Sequence, residues 1–218
     1  LGIDQKRVDG VELRKVCDGY AVYYDPEQAK ALKAAGADYV WCGVGRAESV
    51  VSIVQSGGLR STNRRCLSGI RLTGASPSSD MGTGGADNVF TRIGTNAGRG
   101  KIRYDDSFCG SGYRLIIDEA ELGRTSWYAY TGDNFGTTRP STLHSRQGSE
   151  EFVKGQNRSF KSGNEIMFRQ GIPTESIQKI RCSGDYERDK LLKAFRDAGI
   201  TSVNGIPIED FVEVGDYL

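Results

Sequence analysis

The sequence predicts an α+β fold in which short strands alternate with amphipathic helices. Three observations carry that expectation. Short runs of β-branched and aromatic residues recur along the chain. Between them lie segments with apolar residues at helical spacing, framed by capping residues and glycines. Glycine accounts for 29 of the 218 residues against 5 prolines, about 13% where roughly 7% is usual. That excess calls for ordered loops with unusual backbone angles, not a flexible linker.

The elements follow in order. Gly19–Tyr24 reads as a strand through Tyr20, Val22, Tyr23 and Tyr24. Asp25-Pro26-Glu27 then supplies an N-cap, a proline for the first helical position and an acidic first turn. This predicts a helix to Ala35 that stops at Gly36. Asp38–Cys42 is a strand leading into the turn Gly43-Val44-Gly45, and Ala47–Gln55 is a helix carrying Val50, Val51 and Val54. Asn88–Ile93, Tyr113–Ile117 and Glu165–Phe168 read as strands, while Glu175–Cys182 fits more than one state. Asp185–Ala198 is an amphipathic helix with Leu191, Leu192 and Phe195 on one face, ended by Gly199. Gly205–Phe211 suits either an edge strand or a short helix. Two long stretches, about 60–87 and 131–163, carry no periodic pattern, and loops that long are usually functional.

Composition narrows the function classes. There are 29 basic and 28 acidic side chains, a net charge of +1, which excludes a histone-like polycation and an acidic solvating tail. Hydrophobic residues make up 37% and the mean hydropathy is −0.47. No apolar run approaches the roughly 20 residues of a membrane span, and no secretory signal pattern opens the chain. The charge is uneven, however. Residues 60–103 hold eight basic residues against Asp80 and Asp87, flanked by mildly acidic segments. A basic, Gly/Ser-rich middle suits a phosphate-facing surface or a solvated loop.

Five cysteines without a CxxC pair, and a single histidine, His144, cannot build a His/Cys metal cage. The expectation is reduced thiols, a cytoplasmic site of action and no metal. Gly43-Val44-Gly45 is placed like a dinucleotide-binding turn, but Glu48 occupies the third glycine position. A P-loop around Gly100-Lys101 is excluded by Ile102, where magnesium coordination needs Ser or Thr. A triad through His144 lacks a nucleophile elbow.

One constellation is more specific. Tyr39-Val40-Trp41-Cys42-Gly43 precedes the helix 47–55, and Gly57-Gly58-Leu59-Arg60-Ser61-Thr62 follows it. Gly84-Gly85 leads into Asp87-Asn88-Val89-Phe90-Thr91-Arg92, and Asn164-Glu165-Ile166-Met167-Phe168 is followed by Gly171-Ile172-Pro173. This order resembles the ADP-ribosyltransferase superfamily in its His-Tyr-Glu-type branch. The C-terminal part is similar to the DNA-targeting toxins of bacterial toxin–antitoxin pairs. The resemblance spans about residues 38–182 and rests on motif order and spacing.

The resemblance implies two small β-sheets packed around an NAD cleft with flanking helices. It makes 38–218 the catalytic domain and 1–37 an N-terminal extension. It implies a mono-ADP-ribosyltransferase that uses NAD as co-substrate, with Glu165 as the catalytic carboxylate. Gly43 matches the glycine that holds the nicotinamide carboxamide, and Phe90 or Thr91 the family's Tyr position. Cys42 stands where the family has His. Arg46, Ser61, Thr62 or Arg65 then substitute for the missing ribose contact. Gly163, two residues before the glutamate, departs from members that modify arginine or guanine.

Elementary chemistry agrees on Glu165, because one carboxylate beside the ribose stabilises the positive charge that develops as nicotinamide leaves. Arg60, Arg64, Arg65 and Arg71 suit phosphates or the acceptor. Arg139, His144 and Arg146 lie in the stretch before Glu165, where arginines and aromatics suit a nucleic acid; protein stays open as acceptor. The implied setting is a toxin domain excised from a larger bacterial effector, delivered into a target cell and opposed by an immunity or antitoxin protein. Two other classes remain: a catalytically dead module that binds nucleotide or nucleic acid, and a ribonuclease-type toxin using His144.

Overall fold

The computed structural model describes residues 10–70, 85–94, 112–130, 141–142, 146–156 and 164–215. The expectations at Arg71, Gly84, Arg139, His144 and Gly163 lie outside the described residues.

The described residues open with a hairpin of β1 (Glu12–Lys15) and β2 (Ala21–Tyr24), followed by α1 (Pro26–Ala34). The predicted cap is present: the Asp25 carboxylate accepts from the backbone N–H groups of Glu27 at 2.9 Å and Gln28 at 3.2 Å. Then come β3 (Tyr39–Val44), α2 (Ala47–Gln55), β4 (Gly58–Leu59), α3 (Thr62–Leu67), β5 (Asn88–Gly94), β6 (Tyr113–Ile117) and β7 (Tyr128–Tyr130). The chain continues through β8 (Ser141–Thr142), α4 (Arg146–Gln156), β9 (Glu165–Arg169), β10 (Ile172–Pro173), β11 (Ile177–Cys182) and α5 (Asp185–Asp197). It closes with β12 (Ser202–Val203), β13 (Ile206–Pro207), α6 (Ile208–Phe211) and β14 (Val212–Val214).

Among the described residues the main sheet has eight strands in the order β14-β11-β6-β3-β5-β9-β7-β8. The two sheets expected from the sequence share β5. Its first half pairs with β9 (Asn88 with Arg169 through Thr91 with Ile166), and its second half pairs with β3 (Arg92 with Trp41, Ile93 with Val40, Gly94 with Tyr39). β3 and β5 therefore diverge beyond Trp41 and form a fork.

Strand alternation assigns the faces. Val40 and Val44 of β3, Val89 and Ile93 of β5, and Ile166 and Phe168 of β9 are buried in one core. The helices cover that face with Leu32 of α1, Val50 and Val51 of α2, and Leu191, Leu192 and Phe195 of α5, all buried. α1 is also tied to the segment after β6. The Gln28 side-chain amide donates to the carbonyls of Leu122 at 2.8 Å and Arg124 at 2.9 Å.

The stretches expected to be irregular contain helices. α3 starts at Ser61, whose hydroxyl accepts from the Arg64 N–H at 3.3 Å. Its sequence, TNRRCL, is too polar and too short to show a period. α4 anchors through Val153, which is fully buried, and Phe152, whose ring meets Trp127 edge-on at 6.3 Å. Gly205–Phe211, left open between strand and helix, contains β13 and then α6. Gly58 is required where β4 meets β10: its φ is +144°, and a Cβ there would sit 2.2 Å from the Ile172 carbonyl oxygen.

Candidate active site

The fork brings the sequence motifs together. Beyond Trp41, the β3 residues Cys42, Gly43 and Val44 pair with β6 only, among the described residues. Gly43 is exposed at that point, so its backbone is accessible on the side that β5 has left.

On the far arm of the fork, Phe90 of β5 is paired with Met167 of β9, and both face away from the helix-covered core. Two residues along each strand, Arg92 and Glu165 point to that same face. Across β7, Glu165 is paired with Tyr130. Glu165 is half-buried. Trp41, 4% exposed, is the β3 neighbour of Arg92, whose guanidinium carbon lies 5.4 Å from its ring centroid. Arg114 of β6, fully buried, lies 3.8 Å from the same ring. One sheet face thus carries Phe90, Glu165, Arg92, Trp41 and Arg114 around the point where the strands divide.

Asn164 fixes the start of β9. Its side-chain oxygen accepts from the Ile93 N–H at 2.6 Å, and its amide donates to the Ile93 carbonyl at 3.0 Å. The side chain mimics a strand neighbour for Ile93, just where β5 leaves β9 for β3.

Other predicted residues take different positions. Thr91 faces the core, and its hydroxyl donates to the Ile166 carbonyl at 2.9 Å. Cys42 also belongs to the core side. Burial pushes its thiol up to about 11, although the nearby Arg65 opposes the shift. Ser61 and Thr62 are buried, with the Ser61 hydroxyl used as the α3 cap. Arg46 is exposed at the start of α2.

Two arginines turn toward the N-terminal hairpin. The Arg60 Nε donates to both Asp18 carboxylate oxygens, at 2.9 and 3.2 Å. Arg64 stacks on Tyr20 with 4.3 Å to the ring centroid. Arg146 opens α4. The sequence reading did not assign roles to Arg92, Trp41, Arg114 or Asn164. The i, i+2 spacing of Phe90 and Arg92 on a strand was the available signal for the first of them.

Among the described residues no group of His, Cys, Asp or Glu could hold a metal ion, and no helix is long and apolar enough to cross a membrane. The thiols of Cys17, Cys42, Cys66 and Cys182 are free.

No family model matches the chain, and no curated protein matches it. Solved structures do. DarT of Thermus sp. 2.9 in complex with NAD+ aligns over 84% of this chain and 98% of its own, with a TM-score of 0.51 at 9% identity. The same protein in complex with ADP-ribosylated ssDNA aligns over 80% of this chain and 96% of its own, again with a TM-score of 0.51 at 9% identity. At that identity the likeness is one of fold, and the fold is that of an ADP-ribosyltransferase.

Proposed function

We propose that this chain is an NAD-dependent mono-ADP-ribosyltransferase acting on a nucleic acid, with Glu165 as its catalytic carboxylate. The observation that carries the reading is the shared face of Phe90 and Glu165 beside the open backbone of Gly43, at the fork of an ADP-ribosyltransferase fold. Single-stranded DNA is the first acceptor to test, because the structural neighbour is seen with ADP-ribosylated ssDNA.

NAD supplies the ADP-ribose and the nicotinamide leaving group. Gly43 offers backbone hydrogen bonds to the carboxamide, and Phe90 offers a ring face for stacking. The Glu165 carboxylate stabilises the charge on the ribose as the C1′–nicotinamide bond breaks and its electron pair departs with nicotinamide. The acceptor's nucleophile then forms the new C1′ bond and gives up its proton to water. Arg65 and the exposed Arg46 are the cations proposed for the pyrophosphate. Residues 38–218 are read as the catalytic domain, with 1–37 an extension held to it through Gln28. The biological setting proposed is a toxin domain with a cognate antitoxin.

The test is nicotinamide release from NAD, with single-stranded DNA, RNA or protein added, in wild type beside Glu165→Gln. Turnover that rises with DNA and falls by roughly 100-fold or more in the variant is expected. Folded wild type without turnover in any mixture would sink the enzyme reading and leave a binding module.

A further inference from the structure

The two strands of the N-terminal hairpin differ in how their edges are used. β2 is occupied on both sides. It pairs with β1 from Glu12–Tyr24 to Lys15–Ala21, and on its far side Tyr24 bridges Arg124 while the Tyr23 carbonyl accepts from the Thr125 N–H at 3.0 Å. β1 has β2 as its one strand partner among the described residues. Its four residues, Glu12, Leu13, Arg14 and Lys15, are all exposed.

Hydrogen-bond alternation fixes which backbone groups of β1 face outward. The Val16 N–H donates to the Tyr20 carbonyl at 2.7 Å, so that pair is a hydrogen-bonded one. Counting back along the ladder, Arg14–Val22 and Glu12–Tyr24 are hydrogen-bonded pairs, and Lys15–Ala21 and Leu13–Tyr23 are not. The Tyr23 carbonyl, turned away from β1 to Thr125, agrees with this phase. Leu13 and Lys15 therefore carry the N–H and C=O groups of the outer edge.

The side chains along that edge are self-complementary. Residues directly opposite in an antiparallel ladder share a face. A two-fold axis through Leu13 sets Leu13 opposite its own copy, and each Glu12 opposite the Arg14 of the other chain. The central pair can exchange two N–H···O=C bonds, because Leu13 turns both groups outward. Within one chain Arg14 Nε already donates to Glu12 at 3.2 Å, with both side chains about half exposed, so the joint carries four charges of alternating sign. On the opposite face Leu13 and Tyr23, 54% and 66% exposed, meet their copies in one apolar row. Moving the register by two residues sets Glu12 against Glu12 or Arg14 against Arg14, and like charges directly opposite are unfavourable. A one-residue slip puts opposed side chains on different faces. The charges that blunt this edge toward other pairings thus admit one with itself.

We infer that β1 is a self-association edge: two copies of this chain join β1 to β1, antiparallel about Leu13, into one four-stranded sheet. Edges of four residues bury well under the roughly 1,000 Å² of a stable interface. The dimer is therefore transient, with a Kd on the order of 100 μM. It is independent of the transferase reading, and its test uses no NAD.

Sedimentation velocity of the full chain at low ionic strength should show a mass rising from 23.8 kDa toward twice that, over about 5 μM to 1 mM protein. Glu12→Arg and Arg14→Glu each set like charges opposite one another twice and should weaken association at least about 10-fold. An equal mixture of these two variants restores opposite charges between unlike chains and should associate within about 3-fold of wild type. Leu13→Pro removes the outward N–H without removing a bond to β2, and should weaken association by about 10-fold or more. Circular dichroism checks folding. Should one charge variant not fold, Leu13→Pro and the double exchange Glu12→Arg with Arg14→Glu, which keeps the complementarity, still decide. Wild type that stays monomeric to about 1 mM, single variants that associate like wild type, or a mixture that stays monomeric would overturn the interface.

Discussion

Asn164→Ala tests how the fork is held. The wild-type side chain makes two buried hydrogen bonds to one residue, accepting from the Ile93 N–H at 2.6 Å and donating to its carbonyl at 3.0 Å. Asn164 is 6% exposed and Ile93 4%, so water does not replace the lost partner. Each backbone group left unpaired costs about 1–3 kcal/mol. Two of them give roughly 2–6 kcal/mol, a fall in Tm of about 4–24 °C for a domain of this size. Thermal and urea denaturation read this directly. Because Asn164 immediately precedes Glu165, the variant should also lower nicotinamide release through kcat, with the KM for NAD changed less than about 3-fold. That activity loss should vanish in a Glu165→Gln background, where the group being positioned is already gone. A destabilisation below about 1 kcal/mol, or a variant as active as wild type, would refute the view that this amide closes the β5–β9 ladder.

Two further predictions concern titration. Burial pushes the Glu213 carboxyl up, but hydrogen bonds from Lys179 and Arg181, both at 2.9 Å, outweigh it and hold the group below its usual range. A carboxyl depressed in the folded state contributes stability above its unfolded pKa, about 4.3, and loses that contribution as pH falls through the folded value. Glu213→Gln should therefore be less stable than wild type at pH 7, with the gap closing in urea midpoints taken from pH 5 downward; a gap independent of pH would refute the pairing. The thiols should separate by burial. Cys17 and Cys42 are pushed up to about 11 and Cys182 to about 12, chiefly by burial, while Cys66 is exposed. At pH 8 peptide mapping after alkylation should find Cys66 modified roughly 100-fold faster than these three, and equal rates would contradict the core assignment.

Much of the fold was legible because local signals were strong. The Asp25-Pro26 cap, the valines of α2 and the apolar stripe of α5 each specify an element without reference to the rest of the chain. α3 and α4 were not legible, since their positions are set by tertiary contacts: the Ser61 cap and the Asn63 amide donating to Asp87 at 2.7 Å for one, Val153 in the core for the other. For the candidate site, motif order located Gly43, Phe90 and Glu165, but not which face each residue occupies. Thr91 and Phe90 are adjacent in sequence and lie on opposite faces of one strand, so only the register separates a core hydroxyl from a cleft ring. Arg60 and Arg64 look alike in sequence, yet one turns to the Asp18 carboxylate and the other to the Tyr20 ring.

The shared strand explains why the fork is a suitable place for chemistry. A sheet with continuous pairing has no free backbone in its interior, because every N–H and C=O is used by a neighbour. β5 changes partners between Thr91 and Arg92, which leaves the end of β3 with one partner among the described residues while the core behind it stays closed by Val89, Ile93 and Ile166. The cost of that break is met locally, by Asn164 standing in for the missing strand at Ile93. Strands on both arms then hold Gly43, Phe90 and Glu165 in place, and the bond-breaking step proposed here, which depends on one carboxylate, needs that fixity more than it needs any single substituent at position 42. On this argument Cys42 is compatible with the proposed transferase activity, because the ordering comes from the strand exchange and not from the side chain that points into the core.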